Sequence, residues 1–394
     1  MCPADPTAVA ADLTILSDAQ LLQESSPHDY INSIAALERA VFDDSRPFAF
    51  LLGAGCSTSV PGIAGPLVPD IAGLTKQVAG QLNQTHPKLL VLNDMLIADG
   101  VVQPTLEDWL TRLRILASIS GGESIRGINS SEIDALEVAL VEHISKAVNV
   151  DLPEDGGGYD AVSRWAGSFD RKYPLEVFSL NYDLLVEQSF ERHRVAYFDG
   201  FLGSHEPFLD IRAMEDDVLP TRWARLWKMH GSVNWANIDG RVVRRSGHVI
   251  GSGAGSLIHP SHLKYDQSRR MPYLAMQDRL RTFLRRTGAL LVVAGYSFAD
   301  EHINEILIES LSGNASAVSF GLLYGPLGNY PHAVKIAKRT PNLRLMAADE
   351  AVIGGAQGAW QAVDEVFRLP PEQLGDFSSM RKLLRLGRED EDHA

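Results

Sequence analysis

Residues Phe48 to Ser57, FAFLLGAGCS, run from five apolar side chains straight into a glycine turn. A short apolar run bounded by glycine predicts a core strand over Phe48–Leu52. Gly53 and Gly55 carry no Cβ, so the backbone there can turn sharply and come close to a ligand. Such a turn at the mouth of a strand aims backbone N–H groups at a pyrophosphate, which suggests a dinucleotide. The same residues also suit a plain tight turn. The dehydrogenase fingerprint is incomplete: Thr58 stands where its third glycine belongs, and Pro61, Pro66 and Pro69 rule out an immediate long helix. A hydride-transfer site is therefore disfavoured, while a dinucleotide held under a loop is retained.

Further short apolar runs predict strands over Leu175–Leu180, Leu226–His230, Ala289–Ala294, Ala317–Tyr324 and Leu343–Ala347. Helical patterns separate several of them, over Asp29–Phe42, Asp183–Arg192, Met271–Arg286, Asp300–Leu311 and Gln357–Phe367. The alternation predicts an α/β fold, a Rossmann-type parallel sheet with helices on both faces. From about residue 70 to 170 the pattern is almost entirely helical, with a capping-type start at Thr105-Leu-Glu-Asp108, and reads as a helical insertion between the first two strands. The glycines of Glu154–Gly158 mark its return. Residues 1–28 read as an N-terminal extension, 29–369 as the nucleotide-binding domain, and 370–394 as a C-terminal helix and charged tail.

Composition narrows the class. No apolar run approaches membrane-spanning length, and no basic segment precedes an apolar stretch at the N-terminus, so no membrane association or secretion is expected and the cytoplasm is the default compartment. With only Cys2 and Cys56, the chain cannot build a four-cysteine zinc ribbon, and no metal is expected. The net charge of −14 is unevenly spread: residues 1–170 hold 9 Lys/Arg against 23 Asp/Glu, whereas residues 222–286 hold 13 against 3. The arginines at 269, 270, 279, 281, 285 and 286 suit either a solvated helix face or a surface for an acidic partner, a subunit or nucleic acid.

Four successive candidate strands finish in small or polar residues: GAGCS, then Asn181-Tyr182-Asp183, then His230-Gly231-Ser232, then Gly295-Tyr296-Ser297. Each has an ordinary explanation: a helix N-cap for NYD, a structural histidine, a turn and cap for GYS. Together they are hard to dismiss, because ligands of open parallel sheets bind just beyond the carboxyl ends of the strands. Cys56 is flanked by Gly55 and Ser57 and reads as a small residue fitting a tight loop.

In order, Gly53-Ala54-Gly55-Cys56-Ser57, Gly62-Ile63, Asn181-Tyr182-Asp183, His230-Gly231 and Gly295-Tyr296-Ser297 resemble the motif series of the sirtuin family, over about residues 29 to 369. The forms LNYD, KMHGS and GYSFADEHIN resemble the bacterial sirtuin-like NAD⁺ hydrolases of anti-phage defence more than the protein deacylases. The resemblance implies that Gly53, Ala54, Gly55, Cys56 and Ser57 hold the pyrophosphate of NAD⁺. It also implies that Asn181 orients the nicotinamide ribose or the attacking water, supported by Asp183. His230 would act on the ribose hydroxyls or as general base, and Gly295, Tyr296 and Ser297 would line the adenosine half. The implied reaction is cleavage of NAD⁺, as substrate, to nicotinamide and ADP-ribose. The implied context is abortive infection, with control by homo-oligomer assembly or by a HerA-type ATPase or Argonaute partner. Lysine deacylation and non-catalytic sensing of NAD⁺ or ADP-ribose are the alternatives. Three departures weigh against deacylation: the missing zinc cysteines, the long gap from Asn181 to His230, and Ala64-Gly65 after Ile63.

Overall fold

One sheet organises the molecule, and its central strand is the run FAFLL. The computed structural model describes residues 27–63, 65–168, 170–215, 219–238, 241–245, 256–258, 272–362 and 368–385. Strands β1 (Phe48–Leu52), β2 (Glu176–Ser179), β3 (Ala224–Lys228), β4 (Leu290–Ala294), β5 (Val318–Leu322) and β6 (Leu343–Met346) form where the apolar runs predict them. Only β3 is displaced, starting two residues earlier. All six are parallel, in the order β6-β5-β4-β1-β2-β3. This is the doubly wound order, with its switch point between β1 and β4.

Both faces of β1 are buried because successive side chains point to opposite sides. Phe48, Phe50 and Leu52 join one core with Ile34 and Leu37 of helix α1 (Tyr30–Val41). Ala49 and Leu51 join the other, with Leu280 and Phe283 of the helix before β4 and Ile303 and Leu307 of the helix after it. A strand with no solvent face cannot show polar alternation, which is why the sequence there reads as unbroken apolar.

Between β1 and β2 lie the short helix α2 (Ala54–Thr58), then α3 (Ile71–Leu82), α4 (Lys88–Ala98), α5 (Leu106–Ser120), α6 (Ser130–Val148) and α7 (Gly157–Gly167). Thr105 and Asp108 form the capping box anticipated at the start of α5, and Asn129 with Glu132 form a second at α6. Ile133, Leu136, Leu140 and Ile144 make a buried stripe at helical spacing along α6. Helix α8 (Leu185–Arg192) follows β2 and packs on α7. Helices α9 (Tyr273–Arg285), α10 (Glu301–Ser312) and α11 (Pro331–Arg339) flank the later strands.

Three features depart from the sequence reading. The helix expected over Gln357–Phe367 is instead the second arm of an antiparallel hairpin, β7 (Glu350–Ile353) and β8 (Ala356–Ala359), on the β6 edge; residues 363–367 lie outside the described residues. Gly354 and Gly355, at φ 63° and 85°, supply the two-residue turn that this hairpin requires. Secondly, the chain beyond Lys228 turns at Met229-His230 and enters a new strand, Gly231–Ile238, an inner strand of a separate antiparallel sheet. Thirdly, the arginines of α9 do not share one solvated face: Arg279 and Arg286 reach inward to the buried Glu176 carboxylate, at 3.5 and 3.0 Å, while Arg281 pairs with Asp278. Arg269 and Arg270 lie outside the described residues, as does Cys2.

Residues 369–384 pack on the α1 side of the sheet, where Gly375 presses on the end of β5. A Cβ built on Gly375 would stand 2.0 Å from the Leu323 carbonyl oxygen, whereas nothing lies near Gly328. Gly375→Ala is therefore expected to lower stability by about 2 kcal/mol, as overpacking against backbone does, and Gly328→Ala by less than about 0.5 kcal/mol. Urea unfolding midpoints of the two variants check this.

Candidate active site at the C-terminal edge of the sheet

The loops leaving β1 and β4 are in backbone contact at the switch point. The Gly53 N–H donates to the Ala294 carbonyl at 2.9 Å and the Gly55 N–H to the Gly295 carbonyl at 2.8 Å. Three absent side chains make this possible. A Cβ on Gly53 would lie 2.4 Å from the Gly295 oxygen, one on Gly55 2.8 Å from the Gly295 Cα, and one on Gly295 2.3 Å from the Cys56 nitrogen. Gly295 also has φ 63°, a conformation that disfavours side chains. Ala54 and Gly55 remain exposed at the rim. Cys56 points inward: its thiol donates to the Ala294 carbonyl at 3.2 Å, and burial pushes its pKa well up.

Ser57 is also buried, at the hub of a polar cluster drawn from three elements. Its hydroxyl donates to Asp183 Oδ2 at 2.6 Å. It accepts from Asn181 Nδ2 at 2.9 Å and lies 2.8 Å from the Tyr159 hydroxyl. Asn181 Nδ2 also donates to the Gly53 carbonyl at 3.0 Å. That bond settles the carboxamide orientation, since a carbonyl only accepts. The Asn181 amide nitrogen is thus committed, and its carboxamide oxygen has no partner among the described residues. Asp183 Oδ1 accepts from the Leu185 N–H.

On the neighbouring strand, the Lys228 ammonium is buried, donating to the Asp183 carbonyl and lying 3.4 Å from Glu187 Oε1. Burial raises the Glu187 pKa, and Lys228 opposes that rise. His230 Nε2 lies 3.1 Å from Asp300 Oδ2. Asp300 caps α10, its other oxygen accepting from the His302 and Ile303 N–H groups at 3.0 and 3.3 Å. His230 leaves β3 and Asp300 follows β4, with β1 and β2 between them in the sheet. At about 4.8 Å per strand, this contact must arch over the ends of β1 and β2, where Gly53 and Asn181 stand.

The fourth strand end divides its duties. The Tyr296 hydroxyl points inward, its single proton within reach of the Asp300 carbonyl oxygen at 3.0 Å and Asn304 Oδ1 at 2.9 Å, and burial raises its pKa, while Ser297 is exposed. Sequence reasoning missed two residues that the fold brings into this constellation, Tyr159 and Asp300. Asp300 carries the ordinary signal of a helix N-cap, and Tyr159 that of a core aromatic.

Residues 175–340 match the family described as SIR2-like domain. This part of the chain is sirtuin-like. The matched stretch runs from the start of β2 to the end of α11, so it holds Asn181, Asp183, His230, Asp300 and Gly295–Ser297, while the Gly53–Ser57 loop precedes it. No curated protein matches the chain. A SIR2-like domain implies use of NAD⁺, and the switch point can receive it: Ala54 and Gly55 are exposed there, and the Asn181 carboxamide oxygen has no partner among the described residues. Among the described residues, no group of His, Cys, Asp and Glu is arranged to hold a metal ion, and no helix is long and apolar enough to cross a membrane.

A thiol held protonated and covered does not react as a thiolate. In a Cys2→Ser variant, Cys56 is expected to take up less than about 0.1 equivalent of iodoacetamide in an hour at pH 8, and a full equivalent in urea. Fast labelling of the native protein would make Cys56 an accessible thiol.

Proposed function

We propose that the chain is an NAD⁺ glycohydrolase, cleaving NAD⁺ and water to nicotinamide, ADP-ribose and a proton. The observation that carries this reading is Asn181, whose amide nitrogen is tied to Gly53 and Ser57 while its oxygen has no partner among the described residues. Nicotinamide in NAD⁺ is already cationic and departs as a neutral base, so the site needs no strong acid. It must stabilise the oxocarbenium character that develops at the ribose carbon and aim a water at it. A carboxamide oxygen of fixed direction does both: its negative end faces developing positive charge, and it accepts a hydrogen bond from the attacking water.

In this reading the Gly53–Ser57 turn meets the pyrophosphate at its exposed rim, Ala54 and Gly55, because the Gly53, Gly55 and Cys56 N–H groups are committed to protein carbonyls, with Cys56 and Ser57 supporting the turn from beneath. His230 takes the proton from the water or engages the ribose hydroxyls, and Asp300, 3.1 Å from its Nε2, orients the imidazole. Gly295 keeps the two loops together, and Ser297 is available to the adenosine half. The missing zinc cysteines and the altered sequence after Ile63 support hydrolysis over transfer of an acyl group. The likeness of LNYD, KMHGS and GYSFADEHIN to defence-type sirtuin-like enzymes supports NAD⁺ depletion as the biological outcome, restrained by assembly or a partner ATPase.

Purified protein incubated with NAD⁺ and no peptide is expected to release equal amounts of nicotinamide and ADP-ribose, read by liquid chromatography and mass spectrometry. Asn181→Ala and His230→Ala are each expected to lower kcat at least about 100-fold, or about 2.7 kcal/mol of transition-state stabilisation, with circular dichroism unchanged. Turnover that requires an acyl-lysine peptide and yields O-acyl-ADP-ribose would make the protein a deacylase. Binding of NAD⁺ without consumption would make it a sensor.

A further inference from the structure

We propose that Tyr159, on the first turn of α7, is a positioning residue that fixes the Asn181 carboxamide by completing the hydrogen-bond valence of Ser57; this rests on the role given to Asn181 in NAD⁺ cleavage. A hydroxyl has one proton and two acceptor sites. The Ser57 proton goes to Asp183 Oδ2, since a carboxylate only accepts, and one acceptor site takes Asn181 Nδ2. The 2.8 Å contact with Tyr159 therefore runs one way: the phenol donates and Ser57 accepts. With all three positions filled, the Ser57 hydroxyl cannot rotate, and Asn181 Nδ2 has one fixed acceptor there and another at the Gly53 carbonyl. The Tyr159 oxygen also lies 3.5 Å from Asn181 Nδ2, closing the triangle.

The phenol is buried, and burial followed by the Asp183 charge raises its pKa, so it stays a donor. Its placement is over-determined. The next residue, Asp160, is bonded to Ser189 of α8 at 2.9 Å and to Arg192 at 3.1 Å. On the other side the Tyr159 ring meets Phe377 edge-on at 5.0 Å. Gly158 permits that approach, because a Cβ there would fall 2.2 Å from the Phe377 carbonyl oxygen. Among the described residues the Tyr159 hydroxyl meets the site at Ser57 and Asn181, which makes its role indirect.

Tyr159→Phe removes one oxygen and keeps the ring. The protein is labelled with ¹⁵N-asparagine, and the Asn181 side-chain amide signal is identified by its loss in Asn181→Ala. Tyr159→Phe is expected to speed solvent exchange of that amide at least about tenfold. It is also expected to lower kcat for NAD⁺ about tenfold with KM changed less than about twofold, the pattern of a lost transition-state interaction. Tyr30→Phe, which loses a phenol bond to Leu369 instead, serves as control and leaves both readouts unchanged. Wild-type exchange in Tyr159→Phe, or faster exchange with wild-type kcat, overturns the proposal. Should the wild type consume no NAD⁺, the glycohydrolase reading fails by itself, and exchange at Asn181 still decides whether Tyr159 positions it.

Discussion

The whole constellation hangs on one approach of backbone to backbone. Where the loops of β1 and β4 meet, no side chain larger than hydrogen fits at Gly53, Gly55 or Gly295. The sheet order makes those loops neighbours, and the glycines let neighbours touch. Two N–H···O bonds across the gap extend the β1–β4 pairing one step beyond the strands. Every other group in the site is placed relative to this junction: Asn181 bonds to the Gly53 carbonyl, Ser57 sits one turn further on, and Cys56 fills the space beneath.

Above the junction the design changes from packing to polar saturation. Ser57, Asn181 and Asp183 are all buried, and a buried polar group without a partner costs about 1–3 kcal/mol. The cluster avoids that cost by mutual satisfaction, with Lys228 holding the Asp183 carbonyl from β3. Such bonding has a second effect: with its amide nitrogen tied to Gly53 and Ser57, Asn181 has one arrangement, and its carboxamide oxygen is the acceptor left over. Stability and the fixed direction of the Asn181 carboxamide come from the same bonds.

Much of this was legible in the sequence because the responsible physics is local. Strands buried on both faces show as apolar runs, and a turn that must touch another backbone shows as glycine, so β1 to β6 and the four strand ends stand out. Tyr159 does not, since a tyrosine at helical spacing looks the same whether its hydroxyl meets water or Ser57. Asp300 is masked in the same way: the capping role that places it in the sequence hides the imidazole it also receives. At Gln357–Phe367 the local signal misled, because AQGAWQAVDEVF carries helical periodicity. The Gly354-Gly355 pair and strand pairing to β7 override it. The inward turn of Arg279 and Arg286 depends on Glu176, over 100 positions earlier, and no local pattern reports such a distance.

The Phe377–Ser379 turn packs on both α2 and α7. Ser57 and Phe377 are 320 positions apart in the chain (377 minus 57), so a ribosome delivers the loop long before the turn that backs it. At about 5–20 residues per second, that interval is tens of seconds. Throughout it, α7 lacks the aromatic ring that seats Tyr159, and the polar cluster has no fixed outer wall. The geometry of the polar cluster is therefore among the last things this chain acquires during synthesis, well after its central strands have emerged.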